Sequence, residues 1–363
     1  MRRIYADHNA TTPLDPQVLE AMMPYLRDHF GNASSVHIFG REGRAAIDDA
    51  RVRIAKLLGC QETEIVFTGG GTEADNAAVF GVARARRSKG RHLICSSIEH
   101  HAVLHACQYL EKLGECEVTY LPVNGNCLVD PDDLKRAIRD DTVLVSVMSA
   151  NNETGTIQPI KELTAISREY AVPFHTDAVQ SFGKLPVNAN DWDVDLLSIS
   201  AHKFYGPKGV GVLFVRRGTK LDPLLMGGSH ENERRAGTEN VAGIVGMAKA
   251  AELATQRMAD DEQVRLLELT EKLAKGISKR ISGVHRNGHP KQRIANTVNF
   301  SFEGCEEEGL LLGLDLEGVA VSSGSACAVG SLEPSHVLKA MGVPHQLANA
   351  AVRFSLGTSN TDK

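Results

Sequence analysis

The chain has 363 residues, enough to bury a large core and, on length alone, to form roughly two or three domains. With 42% hydrophobic and 23% charged residues, its composition is that of a globular protein in water. A net charge of −5 gives no electrostatic support to a nucleic-acid or anionic-membrane partner, and no apolar run approaches the ~20 residues of a membrane span.

The opening Met1-Arg2-Arg3-Ile4-Tyr5-Ala6-Asp7-His8 lacks the apolar stretch of a signal peptide, so a cytoplasmic location is expected. Short apolar runs follow, rich in branched residues: Ile65-Val66-Phe67, His92-Leu93-Ile94-Cys95, Val143-Leu144-Val145-Ser146-Val147-Met148, Val172-Pro173-Phe174-His175-Thr176 and Leu196-Leu197-Ser198-Ile199. Helical patterns lie between them, as at 76–86 and 161–170. This alternation predicts an α/β fold with a mostly parallel sheet covered on both faces. From about Gly243 the pattern changes. Residues 250–280 are well charged with almost no Gly or Pro, which predicts one long connecting helix into a smaller region. That region has strands of its own at Thr297-Val298-Asn299-Phe300-Ser301 and Val319-Ala320-Val321.

Four segments could carry chemistry. In Thr68-Gly69-Gly70-Gly71-Thr72 a strand runs through three glycines into a helix, and such backbone N–H groups favour an anion. A tight turn with Thr72 as the helix N-cap explains it as well. In Phe174-His175-Thr176-Asp177-Ala178-Val179-Gln180 an aspartate ends an apolar strand, where a carboxylate can hold a pyridinium nitrogen protonated or simply cap a helix. In Ser198-Ile199-Ser200-Ala201-His202-Lys203 a lysine ends a buried strand, suited to a Schiff-base amine, although an exposed loop lysine is the commoner case. The fourth is Ser322-Ser323-Gly324-Ser325-Ala326-Cys327-Ala328-Val329-Gly330. It has no apolar periodicity to bury its thiol, which suits a solvent-reachable nucleophile. The seven cysteines form no C-x-x-C pair, so neither a disulfide framework nor a zinc knuckle is indicated. His101 and His105 stand one helical turn apart, but no neighbouring carboxylate completes a metalloprotease-type zinc motif.

Together these segments resemble the class V aminotransferase-like family and, within it, the cysteine desulfurases. The likeness runs nearly end to end. It includes Asp7-His8-Asn9-Ala10-Thr11-Thr12-Pro13, Phe30-Gly31-Asn32-Ala33-Ser34-Ser35, Asn151-Asn152-Glu153-Thr154-Gly155 and Arg235-Ala236-Gly237-Thr238-Glu239-Asn240. The stretches 150–156 and 235–240 look more like the NifS type than the IscS type. The cysteine loop, followed by Glu333-Pro334-Ser335-His336-Val337-Leu338, matches the long-loop subgroup containing both.

The resemblance implies a pyridoxal-phosphate-dependent transferase of the aspartate aminotransferase-like fold. Residues 15–256 would form a large domain on a seven-stranded, mostly parallel sheet. Residues 1–14 and 257–363 would form a smaller α+β domain carrying the cysteine loop. It implies that Lys203 holds the cofactor covalently, that His100 stacks on its ring and moves protons, and that Asp177 pairs with the ring nitrogen. Gln180 would contact the ring hydroxyl and Asn152 would line the ring. Gly71, Thr72, Ser200 and His202 would bind the phosphate, joined by Thr238 from a second subunit. Arg353 would take the substrate carboxylate bidentately, with Asn32 assisting. Cys327 would accept the sulfur of L-cysteine as a persulfide, with alanine released, and could ligate an iron–sulfur intermediate transiently. The partners implied are a second copy of the chain and a NifU/IscU-like scaffold. Ala328 stands where relatives often carry Thr, and the chain ends at Lys363 where relatives continue, so an incomplete small domain is expected.

Overall fold

The computed structural model describes residues 3–323 and 334–362. Twelve strands are found among them. In chain order they are β1 (Ile4–Tyr5), β2 (Ile65–Thr68), β3 (His92–Ser96), β4 (Glu117–Leu121), β5 (Thr142–Ser146), β6 (Phe174–Asp177), β7 (Leu196–Ser200), β8 (Gly211–Val215), β9 (Val284–Asn287), β10 (Thr297–Phe302), β11 (Val319–Ala320) and β12 (Ala351–Ser355). The large sheet has seven strands in the order β2-β8-β7-β6-β5-β3-β4. Pairing is parallel from β7 through β4, whereas β8 runs antiparallel to both of its neighbours.

The central strands are buried along their whole length, which is why they read as continuous apolar runs. Helices cover both faces. Ile38–Leu58 and Val241–Ala259 bring Ile47, Ile54, Leu58, Ile244 and Met247 to one side, against Phe67, Ile94, Val145, Phe174 and Phe214. On the other side Gly71–Ala85 and His101–Lys112 bring Val79, Val82, Val103 and Leu110 onto Leu93, Leu144, Leu196 and Leu213. The strands are therefore held in register by two apolar layers, and their carboxyl ends are left to open on one edge.

The stretch at 250–280 is two helices rather than one. Val241–Ala259 ends at Asp260, Asp261 takes a left-handed φ of 59°, and Glu262–Arg280 begins after it. The first helix packs into the large core. The second packs against an antiparallel sheet in the order β12-β10-β9, where Ala274, Phe300, Phe302, Val352 and Phe354 cluster. β1 and β11 pair in parallel beside it. Among the described residues no helix is long and apolar enough to cross a membrane.

Candidate active site

A cavity of ≈ 390 Å³ opens at the carboxyl ends of the large sheet, the edge at which open α/β sheets place their ligands. Its lining includes Gly71, Thr72, His100, Asn152, Asp177, Gln180, Ser200, His202, Lys203 and Arg353. These ten residues come from segments as far apart as 71 and 353, and the fold brings all of them to one wall or another. Asn32 and Thr238 do not line it; both are exposed on this chain. Cys327 lies outside the described residues.

One end of the cavity suits an anion. The helix Gly71–Ala85 begins at Gly70, whose φ of 146° is glycine territory, and no side chain caps it. Thr72 is thus not the N-cap, and the unsatisfied N–H groups of the first turn remain available. A Cβ on Gly71 would meet Val179 Cγ2 at 2.9 Å, so only glycine lets this backbone approach so closely. Ser200 and His202 stand across from it at the end of β7 and in the short helical turn Ala201–Lys203.

The floor is a set of buried ionisable groups at the ends of β6 and β7. Asp177 is 4% exposed, accepts a hydrogen bond from Val179 N–H at 2.8 Å and is raised by burial to about 6. It caps a turn rather than a helix. Beside it, burial and then the Asp177 charge push Asp75 well above the usual carboxylate range. Beneath them, His175 lies between Ser146 Oγ at 2.8 Å and Ser198 Oγ at 3.0 Å, held neutral by burial.

Lys203 is half-buried and donates from Nζ to the carbonyls of Asn9 at 2.6 Å and Ala10 at 2.9 Å, so it is no solvated loop lysine. His100 caps the helix His101–Lys112: its Nδ1 accepts from Ala102 N–H at 3.1 Å. Burial, then the charge of Lys203, pulls His100 down to about 4. The ring is neutral at ordinary pH and carries its proton on Nε2.

Arg353 on β12 is almost wholly buried, with Nη1 donating to Asn152 O at 2.9 Å and Nη2 to Asp7 Oδ1 at 2.8 Å. Among the described residues its Nε has no hydrogen-bond partner, a buried donor that a bound carboxylate would satisfy. Several lining residues were not singled out from the sequence: Asn9, Asp75, Glu153 and His336 among them. Asn9 and Glu153 fell inside motifs already noted, but nothing local marked their side chains as facing the cavity. His101 and His105 stack at 4.5 Å between ring centroids, and His336 lies 4.8 Å from His101.

The aminotransferase class-V family matches residues 4–363. The chain belongs to the class V aminotransferase family. A cysteine desulfurase IscS of Dictyoglomus turgidum is 58% identical over 360 residues, covering 99% of this chain and 91% of the relative. One from Methanosarcina thermophila is 54% identical, covering 100% and 89%. Among solved structures, a NifS-like protein superposes with a TM-score of 0.93 at 38% identity, covering 99% of this chain and 95% of that one. Another, SspA in complex with cysteine, gives 0.85 at 37% identity, covering 97% and 98%.

The cofactor of this family is pyridoxal phosphate, and the residues present fit it. The uncapped glycine-rich helix start suits its phosphate, the buried Asp177 carboxylate its ring nitrogen, and the Lys203 amine its aldehyde carbon.

Proposed function

We propose that this chain is a cysteine desulfurase that converts L-cysteine to L-alanine and passes the sulfur on as a persulfide of Cys327. The observation that carries this reading is the meeting of Lys203, Asp177, His100 and Arg353 around one cavity behind an uncapped helix N-terminus. Full-length likeness to chains bearing that name supports it.

Pyridoxal phosphate, when bound, supplies an electron sink for the charge that develops on the substrate Cα. The protein does the rest. Gly71, Thr72, Ser200 and His202 would hold the phosphate, and Thr238 of a second copy would complete that cradle. Asp177 would hold the ring nitrogen protonated. Asn152 would line the ring and Gln180 would contact its oxygen. Arg353 takes the substrate carboxylate on the fork that includes its unpaired Nε, with Asn32 assisting. Lys203, whose amine would hold the cofactor's aldehyde carbon, would also be the base for the substrate Cα proton. The neutral His100 ring, with its proton on Nε2, can donate that proton within the cavity.

Cys327 then attacks the substrate sulfur as a thiolate. The Cβ–S bond of the substrate breaks, an S–S bond forms at Cys327, and protonation of the carbon fragment gives alanine. Four of the other thiols are poorer candidates: burial pushes Cys60 and Cys127 up to about 12 and Cys116 to about 11. Cys95 is raised well above its ordinary value too.

The same reading takes residues 15–256 as the large domain, with 1–14 and 257–363 as the small one, and a cytoplasmic homodimer delivering sulfur to an iron–sulfur scaffold. Exposed Leu26, Phe30, Val36, Ile38 and Phe39 support a covered face there, since an apolar group of this size is unusual on a monomer. A transamination reading would share Lys203 and Asp177 but has no use for Cys327. Purified protein given cysteine should release alanine and sulfide; a keto acid in place of alanine would overturn the assignment.

A further inference from the structure

The chemistry above leaves unused a second lysine beside the cavity. Lys184 donates from Nζ to Gln180 Oε1 at 2.8 Å and to Asn9 Oδ1 at 3.2 Å. Gln180 donates from Nε2 to the Asn9 carbonyl at 2.9 Å, and that same carbonyl accepts Lys203 Nζ at 2.6 Å. One main-chain oxygen therefore ties the amide to the catalytic lysine. Asn9 is itself fixed: its N–H donates to Ser355 Oγ at 2.9 Å, its Nδ2 to Thr297 Oγ1 at 2.8 Å, and its Oδ1 accepts Asn296 Nδ2 at 3.1 Å.

The Asn9 carbonyl only accepts, so the Gln180 atom facing it is the nitrogen and the atom turned toward Lys184 is the oxygen. Flipping the amide would set N–H groups against each other there and oppose two carbonyl-type oxygens at Asn9. With Oε1 taken by Lys184 and one N–H of Nε2 by the Asn9 carbonyl, what Gln180 has left for an occupant of the cavity is its second N–H, a donor. The atom opposite must then be an acceptor, which an ionised ring oxygen is and a hydroxyl proton is not. Burial, then the charges of Lys203 and Arg353, push Lys184 well below its ordinary value. Lys184 is thus held in an unfavourable electrostatic setting, and its two oxygen contacts are what it has in return.

We propose that Lys184 is a positioning residue: by holding Gln180 Oε1 it turns the Gln180 amide N–H toward the ring oxygen of the cofactor and favours the ionised form of that oxygen. This rests on the reading of the cavity as the pyridoxal-phosphate site. The test is a double-mutant cycle on the cofactor-loaded enzyme with Lys184→Met, Gln180→Leu and the two combined. The measured quantity is the pH midpoint of the visible band of the lysine-linked cofactor, with kcat and KM for cysteine alongside. Lys184→Met should raise the midpoint by about one unit, the worth of one hydrogen bond to a charged group. It should lower kcat by about tenfold with KM changed less than about twofold. In the Gln180→Leu background it should add no further shift. A wild-type midpoint in Lys184→Met, or an equal shift with and without the Gln180 amide, overturns the proposal. Should Lys184→Met lose the cofactor, Lys184→Gln, which keeps an N–H donor, should retain the wild-type midpoint, and a shifted one overturns it. Wild-type protein with no visible band would be a different failure, that of the cofactor assignment.

Discussion

Arg353 and Asp7, 346 positions apart, form an ion pair at 2.8 Å with the guanidinium 2% and the carboxylate 17% exposed. The pair binds the entry of the chain to β12 and sets the plane in which Arg353 faces the cavity. Asp7→Asn keeps the shape and removes the counter-charge. Breaking a buried pair from one side costs about 3 kcal/mol. Urea unfolding should show a loss of that order, and KM for cysteine should rise by about tenfold with a smaller change in kcat. An unchanged KM would mean that Asp7 does not orient the substrate-binding arginine.

The cofactor-free protein should lose stability as the pH rises from 6.5 to 8. Burial raises Glu99 to about 8 and Glu153 to about 7, both from 4.5. Above their ordinary values the unfolded chain has lost those protons while the folded chain keeps them, so stability falls as the pH rises toward about 8. Below 6.5 four buried or half-buried imidazoles oppose the carboxyls. His8, His100 and His202, each lowered to about 4, and His175, lowered to about 3, refuse protons that the unfolded chain takes up. Glu99→Gln keeps an oxygen for Ser96 Oγ–H and Met148 N–H, and it should remove much of the alkaline fall. A melting temperature that climbs steadily from pH 6.5 to 8 would contradict this.

Lys203→Ala should abolish the visible band of the lysine-linked cofactor and lower turnover by at least about 100-fold, the scale of a lost acid–base group. Lys208→Ala should keep both. The band surviving in Lys203→Ala at full amplitude would transfer the role to another lysine.

The chain should sediment as a dimer, because Thr238 is exposed and away from its own cavity, and an apolar group surrounds Phe30 and Phe39, whose rings stack at 5.7 Å. Phe30→Glu should push the protein toward monomer and weaken cofactor retention. A fully active monomer would remove the reason for assigning Thr238 to a neighbour's site.

Much of the fold was legible because the central strands are buried on both faces and therefore read as unbroken apolar runs. β4 was not, since as an edge strand it carries Glu117 and Thr119 among half-exposed positions. The stop between the two helices near 260 was marked only by Asp260-Asp261, which sits as easily in one charged helix. At the site, motifs that end strands pointed to Asp177 and Lys203. Lys184 gave no such signal: after Gly183 it looks like a solvated turn lysine, and only Asn9, 175 positions away, reveals what it touches. Asp75 likewise is raised only once the fold buries it and sets Asp177 beside it.

The central claim is that sulfur leaves cysteine onto Cys327, and the direct measurement is mass spectrometry of peptides after the loaded enzyme is given L-cysteine without an external thiol. The account predicts one extra sulfur on the peptide carrying Cys327, and in Cys327→Ser a retained cofactor band with turnover lowered by at least about 1,000-fold, because a hydroxyl is a far weaker nucleophile toward sulfur. Extra sulfur on Cys107 or Cys305 instead, or alanine and sulfide released by Cys327→Ser at the wild-type rate, would contradict it.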